Sequence, residues 1–292
     1  MEPRPLDRLD HRLAARRLRG RHVRALGRAF AALHGETGRR APGALSPSAL
    51  FVGKAGAVRF ARSPGRVATD DVAALVAEVV AEGAPRRAEQ LAAAYASAAD
   101  DYALYRKLAP LDGEPLVVAT GGRVASGKST VAKAVSRRLA APRIAGDRVR
   151  RALAADAPGH ELAWARSASA GVYAGLLERA DAVLAGRRSL VLDACFPTAR
   201  ERRAAAALAT QHGARFVFAC CDAPPAELAA RLRLRDLRDA VPPGSWEKIA
   251  SEIEARWEPP EAGEPGSLVH LDTSLTRAAW LSALGLAKRG RA

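Results

Sequence analysis

The run Gly122-Arg-Val-Ala-Ser-Gly127-Lys128-Ser129 fits the pattern G-x-x-x-x-G-K-[ST], and Thr130 follows it. The chemistry of such a run is phosphate binding. Gly122 and Gly127 let the backbone turn and aim successive N–H groups at phosphate oxygens, helped by the helix N-terminus that opens after the loop. Ser126 and Thr130 belong to the same cradle. Lys128 brings a point charge to the β- and γ-phosphates, and the Ser129 hydroxyl is a ligand for Mg²⁺. The context fits as well. Leu116-Val-Val-Ala-Thr120 reads as a short buried strand feeding the loop, and Val131, Ala134, Val135 and Leu139 recur at helical spacing beyond it.

Three further groups carry possible chemistry. Asp193 ends the apolar run Ser189-Leu-Val-Leu-Asp193, where a carboxylate can hold Mg²⁺ directly or through water. The alternative is a helix cap, a role Thr198 already offers. Asp147 lies in Ala145-Gly-Asp-Arg-Val-Arg150 after a weak strand, Arg143–Ala145. There it can take the proton of an acceptor hydroxyl while Arg148, Arg150 or Arg151 holds an anionic substrate, or it can simply cap the helix that follows. Arg231, Arg235 and Arg238 fall at i, i+4 and i+7, so they share one helical face while Leu228 and Leu232 point inward. Such a comb could close over a triphosphate. It could equally be an exposed helix laced with Asp236 and Asp239. Residues 239–245, with two prolines and a glycine, read as a flexible lid tip.

These residues need a scaffold, and the pattern after residue 115 supplies one. Strands at 116–120, 143–145, 189–193, 214–220 and 267–272 alternate with helices, which predicts an α/β fold with a five-stranded parallel sheet covered on both faces. Thr198 and Glu201 form a capping box, and Asp222 precedes Pro224-Pro225, which suit a first helical turn. The segment 107–115 holds two prolines and a glycine and reads as a linker, dividing the chain into 1–110 and 111–292. The first part is mostly helical. Apolar residues from Leu9 to Leu33 keep near-helical spacing with a break at Gly20, and 49–60 suggests a short hairpin around Gly53–Gly56. Helices are expected at 70–82 and 85–106.

Composition narrows the function classes. The 292 residues are 49% apolar and 26% charged, enough for a packed core. No run approaches the roughly 18 apolar residues of a membrane span, and the N-terminus lacks the apolar stretch of a secretory signal. Asp7 and Asp10 argue against a transit peptide. Three cysteines, Cys195, Cys220 and Cys221, make no disulfide framework, and the vicinal pair reads as packing residues. The expectation is a soluble, cytoplasmic protein. Its net charge of +15 invites a nucleic acid, yet only six of the 46 basic residues are lysines and only 5% of residues are aromatic. That bias is compositional and offers few stacking platforms. Six histidines show no zinc spacing, and no GxSxG is present.

The pieces Gly121–Thr130, Gly146-Asp-Arg-Val-Arg-Arg151, Val191-Leu-Asp-Ala-Cys-Phe196, Cys221-Asp-Ala-Pro-Pro225 and Arg231-Leu-Arg-Leu-Arg235, in this order and spacing, resemble the small P-loop kinases of the AAA-type, zeta-toxin-like group. Within it the chain resembles the ATP-binding half of bifunctional proteins that carry an aminoglycoside-phosphotransferase-like domain. The resemblance implies a P-loop kinase core, ATP with Mg²⁺ as donor, and phosphorylation of a hydroxyl. It also implies Asp147 as acceptor-side base and Arg231 and Arg235 as lid residues. Residues 1–110 resemble the helices after the small lobe of such a phosphotransferase. Leu45–Gly53 stands where that family has HGD-x-x-x-x-N, without its histidine, aspartate or asparagine. This implies a truncated remnant that docks or shapes substrate, and its 15 basic against 4 acidic residues over 1–66 leave room for an anionic partner.

The reading is thus an ATP-dependent phosphotransferase acting on an unidentified hydroxyl-bearing substrate. A nucleotide-gated binding protein without turnover and a nucleic-acid-binding or polynucleotide-end kinase are the alternatives.

Overall fold

A computed structural model describes residues 9, 18–33, 50–52, 58–60, 68–155 and 169–287. The chain divides into two compact units, Met1–Leu111 with Ala140–Pro142, and Asp112–Leu139 with Arg143–Ala292. Among the described residues no helix is long and apolar enough to cross a membrane.

In the first unit, helix α1 (Gly20–Ala32) buries Val23, Leu26 and Phe30, and begins at the glycine where the periodicity breaks. Strands β1 (Leu50–Val52) and β2 (Val58–Phe60) pair antiparallel with Leu50 opposite Phe60. The hairpin's expected turn, Gly53–Gly56, lies outside the described residues, as do residues 10–17. Helices α2 (Thr69–Ala81), α3 (Pro85–Ala99) and the single turn α4 (Leu104–Lys107) follow. Gly27 lets α1 approach α3 closely, for a Cβ there would stand 2.8 Å from the backbone nitrogen of Tyr95. The helix expected over 85–106 is broken. Asp100 adopts a left-handed φ of 59°, and Asp101 accepts hydrogen bonds from Thr69 Oγ1, Tyr95 Oη and the Ala103 N–H at 2.5, 3.2 and 3.1 Å. A carboxylate with three donors, one of them the nearby Ala103 N–H and one the distant Thr69 hydroxyl, competes successfully with helix continuation.

The second unit runs β3 (Leu116–Gly121), α5 (Lys128–Leu139), β4 (Arg143–Ala145), α6 (Gly146–Ala155), α7 (Ser169–Ala185), β5 (Leu190–Asp193), α8 (Ala199–Gln211), β6 (Arg215–Asp222), α9 (Pro225–Arg238), α10 (Ser245–Glu254), β7 (Ser267–Asp272) and α11 (Arg277–Ala283). The five strands form one parallel sheet in the order β4-β5-β3-β6-β7. This is the predicted α/β architecture, a five-stranded parallel sheet with helices packed on it. Every residue of β3 is buried, as a central strand covered on both faces requires. Val118, Val131, Val135, Val191, Ala219, Leu271 and Trp280 meet in one cluster that ties β3 to α5 and α11. Truncating a buried leucine or isoleucine in such a core costs about 2–5 kcal/mol.

The order matters for the site. After β3 the chain moves out to β4 and β5, then returns past β3 to β6 and β7. The carboxyl end of β3 is therefore the switch point where open α/β sheets bind ligands. The capping box forms as read: the Thr198 N–H donates to Glu201 Oε2 (3.1 Å), and the Glu201 N–H donates to Thr198 Oγ1 (3.4 Å). Burial pushes the Glu201 carboxyl above its ordinary value. Strand β6 runs two residues past the expected Cys220, because β7 continues to pair with Cys221 and Asp222 before Pro224 stops it.

Candidate active site

The phosphate loop folds as its glycines demand. Gly122 has φ 132°, and a Cβ there would stand 2.1 Å from the Cys221 carbonyl oxygen; Gly127 has φ 83°, and its Cβ would meet Thr273 Oγ1 at 2.7 Å. No other residue fits either position without displacing backbone or a buried side chain. The Gly122 N–H donates to the Cys195 carbonyl (3.0 Å), pinning the loop to the end of β5. Ala125 takes a left-handed φ of 64°, which costs about 1–2 kcal/mol. Two outside groups hold it there. Arg231 Nη1 donates to the Ala125 carbonyl (3.1 Å) and to Thr273 Oγ1 (3.0 Å), and Thr273 Oγ1 donates to the Ser126 carbonyl (2.7 Å).

With those carbonyls engaged by Arg231 and Thr273, the loop delivers Gly127, Lys128 and Ser129 to the start of α5, where the first N–H groups have no intrahelical partner and the helix dipole favours an anion. Ser126 Oγ is buried and has no hydrogen-bond partner among the described residues. Among the described residues, Lys128 Nζ donates only to the Arg123 carbonyl (3.2 Å). Thr130 stands apart from the others, its N–H already bonded to the Gly127 carbonyl (2.8 Å) and its side chain exposed. A buried hydroxyl and a lysine, held on a tightly packed glycine loop at the start of a helix, together suit a polyphosphate.

Beside the loop, Ser129 Oγ donates to Asp193 Oδ1 (3.0 Å). The sheet register puts Asp193 opposite Thr120 of β3 and Ala145 of β4. The Asp193 carboxylate is almost wholly buried and is also bonded by Arg143 Nη1 at 2.5 Å. The helix-cap alternative for Asp193 falls away, since Thr198 caps α8. The hydroxyl and carboxylate pair has the oxygen chemistry that Mg²⁺ takes. Arg143 occupies the second oxygen and was not foreseen.

Asp147 stands two residues beyond Ala145, at the same edge of the sheet. It is the second residue of α6 rather than its cap, and its Oδ1 accepts from Arg150 Nη1 (2.8 Å). Its Oδ2 lies 3.7 Å from Arg235 Nη2 of α9. The comb on α9 therefore divides. Arg231 reaches the phosphate loop and bonds Glu227, Arg235 reaches Asp147, and Arg238 pairs with Asp239 at the exposed end. Leu228 and Leu232 are buried, and Leu232 packs with Trp246 and Val124 of the phosphate loop, so the loop shares apolar contacts with α9 and α10.

One expectation for the lid is corrected. Asp236 is not part of a solvated lacework but is 3% exposed, accepting from the Gly244 N–H and the Trp246 N–H, both at 2.9 Å. The segment 239–245 is therefore fastened back to α9 at its far end. Thr273 and Arg123 were also missed. Arg123 bridges Asp222 (3.0 Å) and Glu254 of α10 (3.7 Å). Thr273 carried one signal, its place just past β7 on the ligand edge of the sheet. Cys220 and Cys221 are buried as read, and burial pushes their thiols up to about 11 and about 12. Behind the site, buried Arg202 bonds Glu264 and the Phe196 carbonyl. Tyr173 Oη accepts from the Phe196 N–H (2.8 Å), and its hydroxyl is raised well above the ordinary tyrosine value by burial.

No curated protein matches the chain. Among similar solved structures is a protein of Chloroflexus aurantiacus, 18% identical over 61% of this chain and 100% of that one, with a TM-score of 0.49. The APS kinase CysC of Mycobacterium tuberculosis, in complex with AMPPNP and APS, is 26% identical over 60% of this chain and 98% of its own, with a TM-score of 0.42. A gluconokinase of Sinorhizobium meliloti is 19% identical over 60% and 93%, with a TM-score of 0.40. Residues 117–259, which span the phosphate loop, both candidate carboxylates and helices α9 and α10, match the family model of an AAA domain.

Proposed function

We propose that the chain is an ATP-dependent phosphotransferase that moves the γ-phosphoryl group to a hydroxyl of a small molecule. The observation that carries this reading is the reach of one helix. Helix α9 lays Arg231 on the phosphate loop and Arg235, one turn on, beside Asp147. Donor groups and an acceptor-side carboxylate are thus spanned by a single lid.

In this reading Gly122, Ser126, Gly127, Lys128, Ser129 and Thr130 bind the triphosphate, with Lys128 on the β- and γ-phosphates. Ser129 and Asp193 hold Mg²⁺, which when bound neutralises phosphate charge. Asp147 accepts the acceptor's hydroxyl proton as that oxygen bonds to the γ-phosphorus. The bond from the γ-phosphorus to the bridging oxygen breaks, and ADP leaves. Arg231 supplies positive charge to the phosphoryl group in flight. Most of the acceleration in such a site is positioning and electrostatics. Residues 111–292 form the kinase domain and 1–110 a separate module without kinase residues.

Two variants test the assignment. Lys128→Ala abolishes ATP turnover while its thermal unfolding matches the parent. Asp147→Asn keeps ATP affinity within about two-fold and loses transfer by about 10²-fold or more, the range typical of a general base. Unchanged turnover in the lysine variant rejects the donor site. Equal loss of binding and transfer in the aspartate variant makes Asp147 structural. Nucleotide-dependent partner binding without turnover would replace the enzyme reading altogether.

A further inference from the structure

The two inner arginines of the lid are held in different ways. Arg231 is committed: its guanidinium bonds the Ala125 carbonyl, Thr273 Oγ1 and the Glu227 carboxylate. Arg235 is placed but not saturated. Its guanidinium carbon lies 3.5 Å from the ring centre of Trp246, a stacked cation–π contact. Its charged neighbours, Asp147 Oδ2 at 3.7 Å and Asp239 Oδ2 at 3.6 Å, stand beyond good hydrogen-bonding distance. Its Nε is buried without a hydrogen-bond partner among the described residues.

The shelf under Arg235 is itself fixed. Trp246 is buried, its N–H donates to Asp236, and it packs with Leu232 and Val124. A flat guanidinium on a rigid aromatic face, with donors left over, is built to take a planar or tetrahedral oxyanion in two-pronged fashion. The charges around it agree. Arg150, Arg235 and Arg238 face Asp147 and Asp239, so the cluster carries one cation more than it has carboxylates. Asp239 is held below its ordinary value by the Arg238 hydrogen bond and stays charged at neutral pH.

We propose that Arg235, stacked on Trp246 beside Asp147, receives an oxyanion carried by the acceptor, so that the substrate is a hydroxyl compound bearing a phosphate, sulfate or carboxylate group. This rests on the phosphotransfer reading and adds the substrate's charge class to it. Arg231 serves the donor and Arg235 the acceptor. An anion docking at Arg235 also replaces Asp147 as its counter-ion, which leaves the Asp147 oxygen on that side open to the acceptor hydroxyl.

The test fills the donor site with Mg²⁺ and AMPPNP and titrates inorganic phosphate against the loaded protein by calorimetry. Phosphate should bind the parent protein. Arg235→Gln and Trp246→Leu should weaken that binding about ten-fold or more, the loss of a charge-assisted pair, with AMPPNP affinity within about three-fold. Trp246→Phe, which keeps an aromatic face, should retain it and guards against a misfolded lid. Absence of phosphate binding, or equal binding by Arg235→Gln, overturns the proposal, as does a parallel loss of AMPPNP affinity, which would place Arg235 on the donor side. A second arm offers ATP with glucose against glucose 6-phosphate and glycerol against glycerol 3-phosphate. Transfer to the neutral partner as fast as to the charged one sinks the proposal and leaves the phosphotransfer reading standing. Transfer to neither, with Arg235-dependent phosphate binding intact, removes the phosphotransfer reading and leaves the anion site.

Discussion

Thr273→Val removes one hydroxyl at nearly constant volume and cuts the relay from Arg231 to the Ser126 carbonyl. Two hydrogen bonds pass through that oxygen, one accepted from the Arg231 guanidinium at 3.0 Å and one donated to the carbonyl at 2.7 Å. A bond to a charged donor is worth about 1.5–3 kcal/mol and a neutral one about 0.5–1.5. The residue is 6% exposed, so water cannot fully replace either partner. The variant should therefore lose about 2–4 kcal/mol of stability. At about 2–4 °C per kcal/mol for a domain of this size, melting falls by about 4–16 °C. Since the relay holds the Ala125 and Ser126 carbonyls, ATP affinity should fall with it, by about ten-fold where about 1.4 kcal/mol of the loss, roughly half of it, is expressed in binding. Thr273→Ser keeps both bonds and should recover most of each loss. Calorimetry on the three proteins reads both quantities. A valine variant that melts within about 1 °C of the parent and binds ATP within two-fold would refute the relay, and so would a serine variant as damaged as the valine one.

Other outcomes follow from single contacts. Asp236→Ala strands the buried N–H group of Trp246, at about 1–3 kcal/mol, and frees the half-buried one of Gly244; hydrogen exchange over 240–246 should accelerate while the sheet stays protected, and unchanged exchange there would contradict the anchoring. Because burial raises the Cys220 and Cys221 thiols, an alkylating agent at pH 8 should leave both unmodified in the native protein, with half-buried Cys195 the accessible thiol; mass spectrometry of the labelled peptides decides it. Arg202→Met leaves the nearly buried Glu264 carboxylate without its partner and should cost about 3–5 kcal/mol at pH 7. The Arg202 hydrogen bond holds Glu264 below its ordinary value, so this stabilisation is full above about pH 4.5 and is lost as pH falls through the folded value. The gap between parent and variant in urea melts should therefore narrow on acidification; a gap that widens would reverse the assignment.

The sequence carried the strands and the phosphate loop because both are local. Five short apolar runs, bounded by polar or glycine residues, read as strands, and four of them begin and end within one residue of where they lie in the sheet. Thr198 and Glu201 meet across three residues, so their capping box is visible without a fold. What failed to read is long-range. The stop at Asp100 depends on Asp101 meeting Thr69, thirty-two residues away, while the alanine-rich sequence argues only for continued helix. Asp236 looked solvated because it sits among arginines, and only the return of Gly244 and Trp246 buries it. Thr273 lies 147 residues from Ser126 in the chain, and Arg143 lies 50 from Asp193; the strand order that joins them is not written in any spacing.

Phosphoryl transfer to a hydroxyl is the activity proposed for the protein. The direct measurement is ³¹P NMR of ATP and Mg²⁺ with the purified chain and a mixture of hydroxyl acceptors, half of them bearing an oxyanion, with Lys128→Ala in a parallel tube. The γ signal should decline as a new phosphomonoester signal grows, in the parent alone. An ATP spectrum that stays intact in both tubes, or decays only to inorganic phosphate at the same rate with and without acceptors, would contradict it.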